Sequence, residues 1–384
     1  MAADKVRLGI VGVGGMGSGH CSSCEKVEEV ELAAVADIDG DRAKEIGEQY
    51  GVPYFTSHED LLKENLVDAV LIATPHYFHP PIAVDAFQAG VHVLSEKPIG
   101  VRVGDAEQMA KAAKKAGKVF GVMFQRRTEP AIRKARELVE SGELGEIRRT
   151  LLVSPEFRSQ AYYNSGGWRA TWAGEGGGPM MNQAPHIMDI FVLLGGMPSR
   201  VTGKTATLMH EIEVEDHAEA VLEYPNGACG YFYVSTCEPG PGQVIQIWGE
   251  KGKLQFIDGQ LRFTRYATPV SEFSRTNDQM WGGPEQEEVE IELPECERGH
   301  HVILQNFCRA ILHGEELLAP GEFGLKSLEL TNAIMLSSHK GGPVDIPIDR
   351  DQFNEMMEHL CATSSYDPSQ ARKTKRETDP GLKC

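Results

Sequence analysis

No stretch of this sequence holds the roughly 20 consecutive apolar residues that a bilayer-spanning helix requires, and Met1 to Val13 lacks the basic start and apolar core of a secretory signal. A cytoplasmic location is therefore expected. Basic charge is scarce: 38 Lys and Arg stand against 56 Asp and Glu, for a formal net charge of -18. Proteins that track phosphate backbones or bind anionic lipid depend on basic patches, so neither nucleic acid nor a membrane is expected as a partner. Cysteines are few and scattered; the eight, Cys21, Cys24, Cys229, Cys237, Cys296, Cys308, Cys361 and Cys384, lack the spacing of a compact disulfide framework. Reduced thiols are expected. Cys21-Ser22-Ser23-Cys24 forms a C-x-x-C, but inside a predicted helix rather than at the start of one, which favours packing over redox chemistry. There is no internal repeat.

At 384 residues and 41% hydrophobic content, the chain is long enough for two ordinary domains. Val6–Val11 reads as a strand and runs directly into Gly12-Val13-Gly14-Gly15-Met16-Gly17, a G-x-G-x-x-G at a predicted strand-to-helix turn. There, glycines let backbone amides approach a pyrophosphate at the positive end of a helix, so Gly12, Gly14, Gly15, Met16 and Gly17 are candidate cofactor contacts. Glu31–Ala36 reads as the next strand. Asp37 follows it twenty residues after Gly17, the spacing of a carboxylate that holds a ribose 2′-hydroxyl. Its charge would repel a 2′-phosphate, and the nearest arginine, Arg42, falls in the following helix. NAD is expected over NADP, with Ile38 beside the same edge. Asp37 can equally be a turn aspartate capping the helix that begins near Asp39.

Strand and helix signals keep alternating to residue 124, about six strands in all, which implies a parallel, doubly wound sheet and a dinucleotide-binding domain over residues 1–125. Thr74-Pro75-His76-Tyr77-Phe78-His79 leaves one strand on the ligand side, making Thr74, Pro75, His76 and His79 candidate cofactor contacts; His79 is as readily a cap of the next helix. Val91–Leu94 reads as a buried strand, and Ser95-Glu96-Lys97-Pro98 turns out of it at the strand end where such sheets bind ligands. A lysine partly desolvated there has a lowered pKa and can accept a substrate proton, whereas an isolated Glu-Lys-Pro is more often a solvated turn. Glu96, Lys97 and Gln125 complete the cofactor candidates.

Beyond Gly145 long strands dominate, joined by short turns at Pro225-Asn226-Gly227 and Glu250-Lys251-Gly252, so a large, mostly antiparallel open sheet is expected in a second α+β domain over residues 126–348. Helices over 300–313 and 323–338 close it. Alternation over His217–Tyr224 implies one face packed on helices. Tyr231, Phe232, Tyr233 and Trp248 make the neighbouring strands apolar on both faces, which points to burial against another copy of the chain. Residues 361–384 read as a flexible tail or an arm reaching a neighbouring subunit.

A second constellation lies between Trp168 and Asp189, where a glycine run leads into a helix. Asn182, His186 and Asp189 follow one another at spacings of four and three, so they share one predicted helical face. Three readings of His186 stay open: a core histidine held by Asp189, a metal ligand with Asp189 that lacks a third partner, or a group that takes a substrate hydroxyl proton.

Together, Gly12-x-Gly14-x-x-Gly17, Asp37, Thr74-Pro75-x-x-x-His79, Glu96-Lys97-Pro98 and the Gly-rich helix with His186-x-x-Asp189 resemble the Gfo/Idh/MocA family, that of glucose-fructose oxidoreductase and inositol dehydrogenase. The resemblance covers residues 5 to about 348. It implies an N-terminal Rossmann domain, a C-terminal open sheet that oligomerises, and NAD(P)-dependent chemistry at a sugar or polyol carbinol. On that pattern Lys97 and His186 are catalytic, and Arg126, Tyr162, Trp168, Arg169, Trp172 and Asn182 join them at the substrate; no metal is implied. Asn182 and Ala184-Pro185 depart from the aspartate and glycine of many members, and an amide cannot act as a base. The run Trp168-Arg169-x-Thr171-Trp172 with Asn182-Gln183-Ala184-Pro185-His186 is more similar to members proposed to oxidise glycosides at the sugar ring, possible glycoside 3-oxidation, than to inositol dehydrogenases. The expected activity is NAD-dependent oxidation of a secondary hydroxyl of a sugar, glycoside or cyclic polyol. Inositol dehydrogenase, redox-assisted NAD-dependent glycosidase and non-catalytic NAD-binding regulator are the alternatives.

Overall fold

A computed structural model describes residues 5–240 and 242–367. The first unit runs β1 (Val6–Val11), α1 (Gly15–Cys24), β2 (Val30–Ala36), α2 (Gly40–Tyr50), β3 (Tyr54–Phe55), α3 (His58–Lys63), β4 (Ala69–Ile72), α4 (His79–Gln88), β5 (His92–Ser95), α5 (Val103–Ala116) and β6 (Phe120–Val122). Its six strands are all parallel, in the order β3-β2-β1-β4-β5-β6. Burial on both faces explains their composition: β4, Ala-Val-Leu-Ile, is wholly buried. The order reverses beside β1, so the loops after β1 and β4 flank the crevice where such sheets bind ligands. The two-residue β3 has no sequence signal of its own; pairing with Val35 and Ala36 makes it a strand.

The second unit begins with α6 (Pro130–Glu140), β7 (Ile147–Pro155), α7 (Gln160–Tyr163) and α8 (Ala184–Gly195). There follow β8 (Arg200–Ala206), β9 (His217–Glu223), β10 (Cys229–Ser235), β11 (Val244–Gly249), β12 (Gly252–Ile257) and β13 (Gln260–Tyr266). The chain ends through α9 (Val270–Thr276), β14 (Gln286–Val289), α10 (His300–His313), α11 (Gly321–Lys340), β15 (Val344–Asp345) and α12 (Arg350–Ala362). Nine strands form one sheet, β14-β13-β12-β11-β7-β10-β9-β8-β15, antiparallel except where β7 lies parallel to β10. Ala218, Ala220 and Leu222 of β9 are buried on the face that α8 and α11 cover, and Val221, on the other face, is 52% exposed.

The last helices pack back across both units. Helix α10 lies on α1, where Glu29 meets Arg309 at 2.6 Å. In α11, buried Asn332 accepts from Val103 N at 2.9 Å and donates to Val101 O at 3.0 Å, which fixes the segment leaving Lys97 to the second unit. Of the tail or arm expected over residues 361–384, residues 361–367 pack against the fold. Cys361 and Ala362 belong to α12, and Ser364 Oγ accepts from Ala173 N at 3.2 Å while Ser365 N donates to Glu213 at 2.9 Å. Residues 368–384 lie outside the described residues, and so does Cys384. The seven described cysteines are unpaired; burial pushes the Cys21 thiol up to about 12, the opposite of a reactive redox cysteine. No described helix is long and apolar enough to cross a membrane.

Candidate active site

The loop after β1 is shaped by close approach. Gly12 has φ +87°, and a β-carbon there would stand 2.8 Å from the Ala73 backbone; one at Gly17 would overlap the Gly12 carbonyl. Gly14 and Gly15 have open space above them, at the N-terminus of α1. Asp37 Oδ2 accepts from Val13 N at 2.8 Å and Oδ1 from Asp39 N at 2.9 Å, so the carboxylate is tied to the glycine loop and still has lone pairs free for a ribose. The cap of α2 is Asp39, which accepts from Arg42 N, and not Asp37. Ile38 is 76% exposed beside them. Arg42, distant in sequence, returns to this loop and donates from Nε to Val13 O at 2.8 Å. These features fit a dinucleotide with its pyrophosphate over Gly14 and Gly15.

At the next strand end, His79 is not the cap of α4, whose N-cap is Phe78. Its ring is buried, with Nδ1 2.8 Å from Pro98 O and Nε2 2.7 Å from Thr74 O. It staples the exit of β4 to the turn at Lys97, and its nitrogens are not free for a ligand. His76 is also buried and donates from Nδ1 to the Glu175 carbonyl at 3.0 Å; burial first, then His79, pushes its pKa down to about 3.

Lys97 follows β5 and is half-buried. Nζ donates to the Asn182 backbone carbonyl at 3.2 Å, and burial lowers its pKa, opposed by Glu96, Glu156 and Glu175. The solvated-turn reading is thereby excluded. Glu96 points away from the ammonium: Oε1 is 2.7 Å from His20 Nε2 in a buried pair, and Oε2 accepts from Lys97 N at 3.1 Å. His20 was not signalled by the sequence, because its partner is 76 residues away.

The helix carrying His186 differs from expectation in two ways. It begins at Ala184, so Asn182 lies in the turn before it and does not share its face. Asp189 does not hold His186. It forms a buried two-pronged pair with Arg127, at 2.6 and 2.7 Å, and Arg127 also lies 4.1 Å over the Phe323 ring. With Asp189 committed to an arginine, the metal reading loses its second ligand. His186 Nδ1 is buried without a partner, and its pKa lies well below the ordinary value through burial and then Lys97.

The remaining candidates divide. Arg169 Nη1 donates to the Tyr162 hydroxyl at 2.5 Å, Gln183 Nε2 donates to the same oxygen at 2.7 Å, and the Trp168 ring stands edge-on 6.0 Å from His76. Glu175, buried in the glycine run, joins them: Oε2 accepts from Ala170 N at 2.7 Å, Oε1 accepts from Asn182 Nδ2, and Arg169 lies 3.7 Å from Oε1. Trp172 serves the frame, its carbonyl taking the Tyr77 hydroxyl at 2.8 Å and its indole packing beside Tyr163, Ala170 and Val214. Arg126 is held by Glu129 at 3.0 Å and Gln243 at 2.6 Å, apart from the Tyr162 network. Glu175 and Gln183 escaped the sequence reading; a lone carboxylate heading a glycine run was the only hint. Besides His186 Nδ1, the buried side-chain atoms without a partner among the described residues are Thr74 Oγ1, Gln125 Oε1, Arg169 Nε and Gln183 Oε1, together with Arg102 Nε, Arg133 Nε and Glu215 Oε2.

Residues 6–124 match the family model described as oxidoreductase family, NAD-binding Rossmann fold, and residues 132–255 match the GFO/IDH/MocA C-terminal domain. The chain is 30% identical to the WlbA dehydrogenase of Chromobacterium violaceum, solved with NADH and UDP-GlcNAcA, over 91% of this chain and 98% of that one, with TM-score 0.77. This chain belongs to the Gfo/Idh/MocA oxidoreductase family. Within that family, the WlbA dehydrogenase of Bordetella pertussis, also solved with NADH and UDP-GlcNAcA, is 29% identical over 90% of this chain and all of its own, with TM-score 0.76. The trans-1,2-dihydrobenzene-1,2-diol dehydrogenase of Bos taurus is 30% identical over 59% of this chain and 66% of its own, so the matched stretch leaves about a third of that enzyme outside. The chain is thus an oxidoreductase of an NAD-binding family.

Proposed function

We propose that the chain transfers hydride between NAD and a secondary hydroxyl carbon of a sugar, glycoside or cyclic polyol, with Lys97 and His186 as catalytic residues. The observation that carries this reading is that Lys97, whose pKa burial lowers, lies near enough to depress the pKa of His186, whose buried Nδ1 has no partner among the described residues, at the strand end beside the glycine turn. NAD, when bound, supplies the hydride acceptor. The chain's own task is then to hold the carbinol and move its proton. Neutral Lys97 accepts the hydroxyl proton, neutral His186 hydrogen-bonds the same oxygen through Nδ1, and Asn182, Arg169 and Tyr162 orient the ring. Thr74, Pro75, His76, Glu96 and Gln125 shape the nicotinamide end of the cradle. The Rossmann unit is taken to end near residue 125, and the open sheet to bury its uncovered face against a second copy.

Purified protein with NAD is to be tested against inositols, free sugars, glycosides and a nucleotide-activated sugar acid, following both NADH and the oxidised product. Turnover on a ring hydroxyl supports the reading. Release of an aglycone without net NADH would assign a redox-assisted glycosidase, and NAD binding with no turnover on any member of the panel would assign a regulator.

A further inference from the structure

Glu175 is 1% exposed and sits in the glycine run that feeds the His186 helix. Both of its oxygens are used: Oε2 by Ala170 N at 2.7 Å, and Oε1 by Asn182 Nδ2, with Arg169 Nη1 3.7 Å from that same oxygen. A carboxylate only accepts hydrogen bonds. The Asn182 amide must therefore turn its NH2 toward Glu175, and its Oδ1 is left on the opposite side. Among the described residues no hydrogen bond to that oxygen is formed, while the backbone carbonyl of the same residue holds Lys97 Nζ at 3.2 Å. Asn182 is thus fixed by its side chain at one end and tied to the reacting lysine at the other.

We propose that Glu175 is a positioning residue that locks the Asn182 amide with Oδ1 outward, making it a fixed acceptor for one donor hydroxyl of the substrate beside Lys97. The site then selects a ring with a free hydroxyl at that position over one bearing an ether, a carbonyl or no oxygen, because a ring that covers the acceptor without donating to it takes away its water and leaves it unpaired. The proposal rests on the dehydrogenase reading above. Burial raises the Glu175 pKa, and Arg169, the Ala170 amide, Asn182 and Lys97 hold it down. A protonated Glu175 could donate instead, and the amide would lose its imposed direction.

Two measurements on the full chain test this. With NAD and the best substrate of the panel, Glu175→Gln should raise KM about tenfold or more while kcat changes less, and should leave the deoxy analogue of that substrate nearly unaffected. In thermal unfolding, Asn182→Asp should lower Tm more at pH 8 than at pH 5, because it sets two buried carboxylates against each other; adding Glu175→Gln should restore much of the loss, since a donor again faces an acceptor. A wild-type KM in Glu175→Gln, or a double variant no more stable than Asn182→Asp, overturns the proposal. If the wild type oxidises nothing in the panel, the dehydrogenase reading fails by itself, and the thermal cycle still decides whether Glu175 holds Asn182.

Discussion

The Nζ atom of Lys97 donates to the backbone carbonyl of Asn182 across 3.2 Å, so the lysine after β5 of the first unit is held by the turn that opens α8 of the second. That contact joins the two units through one side chain.

Lys97→Ala should lose roughly 10² to 10⁴ in turnover with NAD affinity nearly unchanged, the usual worth of one positioned acid–base group. His186→Ala should also lose activity. If the two act as a unit, the double variant should be little worse than the more damaged single. Burial lowers the Lys97 pKa from 10.5, and only the neutral amine accepts a proton, so kcat/KM for oxidation should rise with pH and level off below pH 10.5. Near wild-type turnover in Lys97→Ala would overturn the assignment.

Wild type should prefer NAD, and Asp37→Ser should narrow the ratio of the two specificity constants by about tenfold or more. Removing the carboxylate leaves Arg42, held on Val13 O at 2.8 Å, as the nearby charge that a 2′-phosphate would meet. A wild type that already prefers NADP contradicts the role given to Asp37.

Glu215 should make stability depend on pH. Its carboxyl is buried, with Oε1 accepting from Gly178 N at 2.8 Å and Met180 N at 3.1 Å, and burial pushes its pKa up from 4.5 to about 7. Between those values the folded state holds the proton that the unfolded chain has released, so stability falls as pH rises through this window, by roughly 3 kcal/mol in all, and is flat above it. Buried His300, pushed down to about 4, acts in the opposite sense and costs stability as pH falls below 6.5. Glu215→Gln mimics the protonated acid, so its Tm should drop less than that of wild type between pH 5 and pH 8. Equal drops would show that Glu215 does not titrate on unfolding.

The uncovered face of the nine-stranded sheet should bury more than the roughly 1,000 Å² of a specific interface. Val221, 52% exposed, stands opposite Tyr231 on this face. Light scattering should report an oligomer, and Val221→Glu should weaken it. A monomer at micromolar concentration would remove the sheet from this role.

By itself, the sequence determined the glycine turn after β1 and the order of elements. Strand-turn-helix periodicity and glycine placement are local signals, so Gly12 to Gly17, Asp37, the position of Lys97 at a strand end and most long strands of the second sheet could be read from neighbours in the chain. Pairings at long range could not. Spacing alone gave His186 to Asp189, but Asp189 belongs to Arg127, 62 residues away, because a buried carboxylate is held better by a charged two-pronged donor than by a neutral ring. Spacing likewise put Asn182 on a helix that starts only at Ala184, since its amide is claimed by Glu175 in the preceding turn. The burial that lowers the Lys97 pKa was decided by tertiary packing: desolvation depends on what encloses a side chain, and here that includes the Asn182 carbonyl, which reaches the Lys97 amine from 85 residues away.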